Sequence, residues 1–104
     1  MIVLNATFLV TAGCEEQASK ILLAHVEQAK NEPGVLVTRV YRSRAEPRRF
    51  FIYHELTDPV AFEQHRTSLH YGGAILTDLY GLLEPESLLF DTYDLLTPDD
   101  EQRP

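Results

Sequence analysis

The start of the chain has one fully apolar side and one mixed side at a spacing of two. Ile2, Leu4, Ala6, Phe8 and Val10 fall on one side, and Val3, Asn5, Thr7 and Leu9 on the other. This period of two predicts a strand over 2–10, its fully apolar side suited to packing under helices. The period then changes. Ala18, Ile21, Leu22, His25 and Ala29 repeat at helical spacing and predict a helix over 15–31. Glu15 and Glu16 stand near its start, where the helix dipole favours acids. Glu32-Pro33-Gly34 ends it, since Pro cannot continue a helix and Gly tolerates a left-handed cap. A second strand is predicted over 35–43, with Leu36, Thr38 and Val40 on one face and Val35, Val37, Arg39 and Tyr41 on the other.

The aromatic, branched run Phe50-Phe51-Ile52-Tyr53-His54-Glu55-Leu56 reads as a third strand. Thr57-Asp58-Pro59 stops it and opens a helix, Asp58 capping free amides and Pro59 fitting the first helical position. That helix is expected in two pieces, 59–66 and 69–83. His65 lies on the buried side of the first, with Ala61 and Phe62, and Ile75, Leu79 and Leu82 or Leu83 form the buried spacing of the second. Gly72-Gly73 weakens its first turns by roughly 1 kcal/mol per Gly relative to Ala. A last strand is predicted over 87–96, followed by a polar tail over 97–104.

The order strand, helix, strand, strand, helix, strand predicts a ferredoxin-like α+β fold over 1–96. Its four-stranded antiparallel sheet carries both helices on one face. The other face then presents Thr7, Leu9, Val35, Val37, Tyr41, Phe51 and Tyr53, which is too apolar to leave in water. The expected cover is the same face of a second copy, giving a twofold homodimer in which Arg39 and Glu55 can pair across the interface.

Composition narrows the partners. The formal charge of −7 argues against nucleic acid, which needs a basic face. No apolar run approaches the roughly 20 residues of a membrane span. The N-terminus lacks the basic start and cleavage site of a signal peptide, so the expectation is a cytoplasmic protein. Cys14 is the single cysteine, which excludes an internal disulfide and a thiolate metal cluster. Five of the nine Lys and Arg residues (Arg39, Arg42, Arg44, Arg48 and Arg49) fall in or beside the hairpin joining the second and third strands. They read as a solvated loop or as an anion site. The solvated loop is preferred because no Gly-rich turn or helix start accompanies them.

Three pieces of the chain together resemble the antibiotic biosynthesis monooxygenase (ABM) family. They are Glu32-Pro33-Gly34 before a strand, Arg49-Phe50-Phe51-Ile52-Tyr53, and Ala61-Phe62-x-x-His65-x-x-Ser68-x-His70-Tyr71. The resemblance runs from residue 1 to about residue 96. It implies a dimeric α+β barrel with a small substrate held between sheet and helices. In the quinol-monooxygenase-like branch it implies oxidation of a quinol or enol by dioxygen without metal or flavin, the substrate anion reducing oxygen directly. A related isomerase of a phosphorylated signalling sugar is similar too. A haem-degrading branch has Asn, Trp and His where this chain has Ala6, Leu56 and Ile75, which argues against haem. Many members carry Glu where this chain has His54.

On this reading His54, Ile52 and Leu56 share the helix-facing side of the third strand, and the small Ala6 and Thr38 leave room beside them. His65 or His54 is the expected base, since a neutral imidazole can take a phenolic or enolic proton. His70 and Tyr71 are expected to donate hydrogen bonds to substrate oxygens, and His25 to face the same space or to be a packed core residue. The spacing of His54, His65 and His70 matches no strong metal signature, so no metal and no cofactor are expected. The expected activity is a cofactor-independent monooxygenase. The alternatives are an isomerase of a small phosphorylated or keto sugar, which the hairpin arginines favour only if they reach the pocket, and a non-catalytic dimeric ligand-binding module.

Overall fold

A computed structural model describes residues 1–57, 60 and 74–98, the side chains of 74–76 excepted. The elements are β1 (Ile2–Leu9), α1 (Glu15–Ala29), β2 (Val35–Arg42), β3 (Arg49–Leu56), α2 (Ala74–Tyr80) and β4 (Leu89–Asp94). The four strands form one antiparallel sheet in the order β2-β3-β1-β4, with the helices on one face, as the ferredoxin-like expectation requires. Apart from residue 60, the first predicted helical piece, 59–66, and the start of the second lie outside the described residues, as do 99–104 of the tail. Among the described residues no helix is long and apolar enough to cross a membrane.

β1 is one of the two inner strands of the sheet. It pairs with β3 in the register Leu4↔His54, Ala6↔Ile52, Phe8↔Phe50, and with β4 in the register Leu4↔Thr92, Ala6↔Phe90. Opposite residues in an antiparallel pair share a face. The alternation of β1 therefore sends Leu4, Ala6 and Phe8 under the helices together with Phe50, Ile52 and His54. The burial follows: Leu4, Phe8 and Phe50 are each at most 2% exposed, and α1 buries Ala18, Leu22, His25 and Ala29. The Phe8 and Phe50 rings stack as a cross-strand pair with centroids 6.1 Å apart. Leu79 of α2 completes the core, with Leu82 and Leu83 packed beside it.

The turns behave as their residues suggest. Gly34, in the break after α1, adopts a φ of 81°, a conformation Gly enters without steric cost. β1 ends at Leu9, and Val10 makes an isolated bridge to Leu83. Ser87 lies before β4 rather than in it. Its hydroxyl accepts a bond from the Leu9 N–H at 3.1 Å and donates to the Glu84 carbonyl at 2.8 Å. Glu84 N–H donates to the Leu9 carbonyl. The segment leading into β4 is thus strapped to the end of β1.

β2 departs from the simple alternation. A register shift lies between Val35, opposite Leu56, and Val37, opposite Glu55. The extra residue, Leu36, is 53% exposed. A bulge of this kind turns the side chains before it to the other face, so Val35 joins the Leu56 side and not, as expected, the Val37 side. On the open face of the sheet Tyr41, Leu89 and Tyr93 are 48%, 65% and 48% exposed, and Phe51 and Tyr53 half-buried. Glu55, 7% exposed, accepts a hydrogen bond from the Tyr53 hydroxyl at 2.9 Å.

The core makes a direct test on neighbouring leucines. Leu22 is fully buried and Leu23 is 62% exposed. Leu22→Ala is expected to lower unfolding stability by about 2–5 kcal/mol, and Leu23→Ala to leave it within about 0.5 kcal/mol. Urea denaturation of both variants checks this; equal losses would contradict the packing described.

Candidate functional site

Between the sheet and the helices lies a cavity of about 190 Å³. Its floor is the helix-facing side of β1 and β3, where Leu4, Ala6 and Ile52 line it. Ala6 is the smallest side chain of that row and faces Phe90 and Ile52 across the two ladders. Space opens there because a methyl group stands where its neighbours along β1 are Leu and Phe. On the helix side Leu79 and Tyr80 close the cavity. Leu88 and Phe90 border it at 41% and 45% exposure, so the opening to solvent lies beside them and Tyr80, itself half exposed.

Among the described lining residues the buried polar groups are two imidazoles. His25, 1% exposed, projects from the middle of the buried stripe of α1; His54, 3% exposed, projects from β3. Their rings meet edge to face, with centroids 5.6 Å apart and planes at 87°. Thr38 stands opposite His54 in the ladder, and its Oγ1 is 3.0 Å from His54 Nδ1. The described lining contains no Lys, Arg, Asp or Glu. A histidine pair in so apolar a setting is screened little by water, so any charge created there interacts strongly with its neighbours.

Of the residues singled out in the sequence, Ala6, His25 and His54 line this cavity. Thr38 does not line it but holds His54. Leu56 shares the helix-facing side yet is fully buried and is not part of the lining, so its expected contact with a ligand is withdrawn. His65, His70 and Tyr71 lie outside the described residues. Leu79 was expected only as a buried residue of its helix, and Leu88 and Phe90 were not foreseen. Phe90 becomes legible only once the β1–β4 register is known.

The hairpin arginines do not line the cavity either. Arg48 donates to Glu84 at 3.2 Å and to the Val10 carbonyl. Arg42 donates through Nε to the Pro47 carbonyl at 2.6 Å and covers the Phe50 ring at 5.5 Å. Arg49 reaches Thr7 Oγ1 at 3.5 Å. These contacts brace the hairpin, so Arg42, Arg48 and Arg49 are tied down and not merely solvated as expected, and the condition that favours a phosphorylated sugar is not met among the described residues. A group of three or more His, Cys, Asp or Glu placed to hold a metal ion is likewise not found among them.

Comparison with known proteins places the fold. The family model for antibiotic biosynthesis monooxygenases matches residues 1–75. A crystal structure of an antibiotic biosynthesis monooxygenase superposes with a TM-score of 0.84 at 15% identity, over 93% of this chain and 100% of that one. A Shewanella oneidensis protein superposes at 27% identity and a TM-score of 0.80, covering 88% of this chain and 87% of its own. A Pseudomonas aeruginosa protein does so at 24% identity and a TM-score of 0.76, covering 92% and 94% respectively. Among curated proteins no sequence matches.

The cavity predicts its own ligands. An apolar cavity of about 150 Å³ accepts benzene, and drug-sized pockets begin at about 300 Å³. A neutral two-ring aromatic such as 2-naphthol is therefore expected to bind and to raise the thermal midpoint, by a stability increment of about 2.7 kcal/mol at a hundred times its Kd. Ala6→Leu is expected to fill the floor and abolish the shift. A thermal shift unchanged by Ala6→Leu would place the ligand elsewhere.

Proposed function

The chain belongs to the antibiotic biosynthesis monooxygenase family, and from that premise we propose that it is a cofactor-independent monooxygenase acting on a small quinol or enol of one or two rings. The observation that carries this reading is the apolar cavity with two buried imidazoles and no charged side chain in its described lining. Such a site favours a flat, uncharged substrate and provides a base where water is scarce.

The chemistry follows from the substrate. His54 takes the hydroxyl proton, and the resulting electron-rich anion gives one electron to dioxygen. The radical pair combines at an activated ring carbon to form a peroxide anion. The imidazolium returns its proton to that peroxide. Loss of water then leaves a carbonyl at the carbon, so one oxygen atom enters the product and the other leaves as water. Proton transfer to a positioned side chain contributes about 10²–10⁴-fold to such steps. His25 lies edge to face with His54, the ring centroids 5.6 Å apart. His65 is the second residue proposed for the base role, with His70 and Tyr71 as donors to substrate oxygens.

We propose in addition that the protein works as a homodimer, the open sheet face of one protomer covering that of the other. Supporting this are the exposed Tyr41, Leu89 and Tyr93 beside Phe51 and Tyr53, an apolar surface of the kind that marks an interface. Phe51→Glu, at the middle of that face, is expected to shift the protein from dimer to monomer in sedimentation velocity. A wild-type monomer would remove the proposal.

The activity is tested with 1,4-dihydroxynaphthalene under ¹⁸O₂, following oxygen uptake and label in the product. Uptake above the uncatalysed rate is expected, with one labelled atom in the product and a loss of about 10²–10⁴-fold in His54→Ala. His65→Ala run in parallel separates the two candidate bases. Uptake no faster than without protein would overturn the reading.

A further inference from the structure

A base in the cavity needs a bare nitrogen, and histidine has two to choose between. In water the neutral ring prefers to carry its proton on Nε2. His54 has its Nδ1 3.0 Å from Thr38 Oγ1, within hydrogen-bond distance. The two residues are direct ladder partners on β2 and β3, so the contact is built into the strand register. The register shift in β2 falls between Val35 and Val37, before Thr38, and from Thr38 to Arg42 the pairing is regular. Thr38 therefore meets His54 from a fixed backbone position, and the ring faces Leu4 of β1 and His25 of α1 around the same cavity.

We infer that Thr38 is a positioning residue: its hydroxyl accepts the Nδ1 proton of His54 and so selects the tautomer whose Nε2 lone pair is the base. This rests on the reading of His54 as the base. The arrangement is consistent through the reaction. When Nε2 takes the substrate proton, the O–H bond breaks, an Nε2–H bond forms and the ring becomes imidazolium. Both ring nitrogens then carry protons. A hydroxyl that accepts from Nδ1 keeps its bond in both states, whereas one that donates to Nδ1 must turn away when the ring is charged. A neutral partner also orients the ring without adding a formal charge to the apolar cavity. A carboxylate at the same place would orient it too but would add a negative charge to the apolar cavity and favour the protonated ring.

The test reads the proton directly. Imidazole-¹⁵N spectra of His54 are recorded for the wild type, Thr38→Val and Thr38→Ser. Valine keeps the branched shape that suits a strand but cannot accept. The wild type is expected to show a protonated Nδ1 and a bare Nε2. Thr38→Val is expected to shift the ring toward the Nε2–H tautomer, and Thr38→Ser to restore the wild-type pattern. The kcat for 1,4-dihydroxynaphthalene is expected to fall roughly tenfold to a hundredfold in Thr38→Val, by analogy with the partners that orient metal-bound imidazoles, with KM little changed and with recovery in Thr38→Ser. A wild-type His54 protonated on Nε2, or a tautomer that Thr38→Val leaves unaltered, would overturn the inference. The expected tautomers without oxygen uptake in any variant would sustain the role of Thr38 and defeat the monooxygenase reading instead.

Discussion

The structure depends on the pairing of β1 on both its edges. A strand with neighbours on each side transmits its alternation to the whole sheet, so the choice of which β1 residues face the helices decides both faces at once. Leu4, Ala6 and Phe8 go inward, and with them Phe50, Ile52 and His54 from β3 and Phe90 from β4. A slip of one residue would send His54 to the open face and bring Tyr53 and Glu55 under the helices. The apolar inner row of β1 makes that slip costly, since each buried Leu or Phe contributes about 1.5–3 kcal/mol.

The site is a controlled exception to the packing that surrounds it. Phe8 and Phe50 fill the sheet–helix interface at one end, while Ala6 leaves it unfilled in the middle. Two imidazoles occupy positions where an aliphatic side chain would pack more simply. Buried polar groups cost stability unless they are satisfied, and His54 meets this requirement in part through Thr38. The helix stripe that carries His25 is otherwise built of Ala and Leu, so the polar group enters a frame that is already determined by apolar contacts.

Much of the fold was legible because α1 and β1 each carry a readable period. The helical spacing of Ala18, Leu22, His25 and Ala29 and the alternation of β1 were unambiguous, and Gly34 marked the break between α1 and β2. The bulge at Leu36 was not legible, because Val35-Leu36-Val37 is apolar throughout and an unbroken apolar run carries no period-two signal. The site was legible in its histidines and in the small size of Ala6. It was illegible in Phe90 and Leu88, whose places depend on where β4 docks, a long-range fact that local spacing does not hold. The hairpin arginines show a related limit. Arg48 reaches a carbonyl 38 positions away, and nothing in a cluster of like charges reveals where such long side chains end.

The strap made by Ser87 has a consequence for how this scaffold diversifies. The stretch that leads to Leu88 and Phe90 is tied to the Leu9 backbone and Glu84, so the edge of the cavity is fixed to the end of β1. Substitution at those two rim positions can then change which molecules are admitted while the imidazoles stay in place. The rim and the imidazoles sit on separate parts of the chain, so either can change without the other.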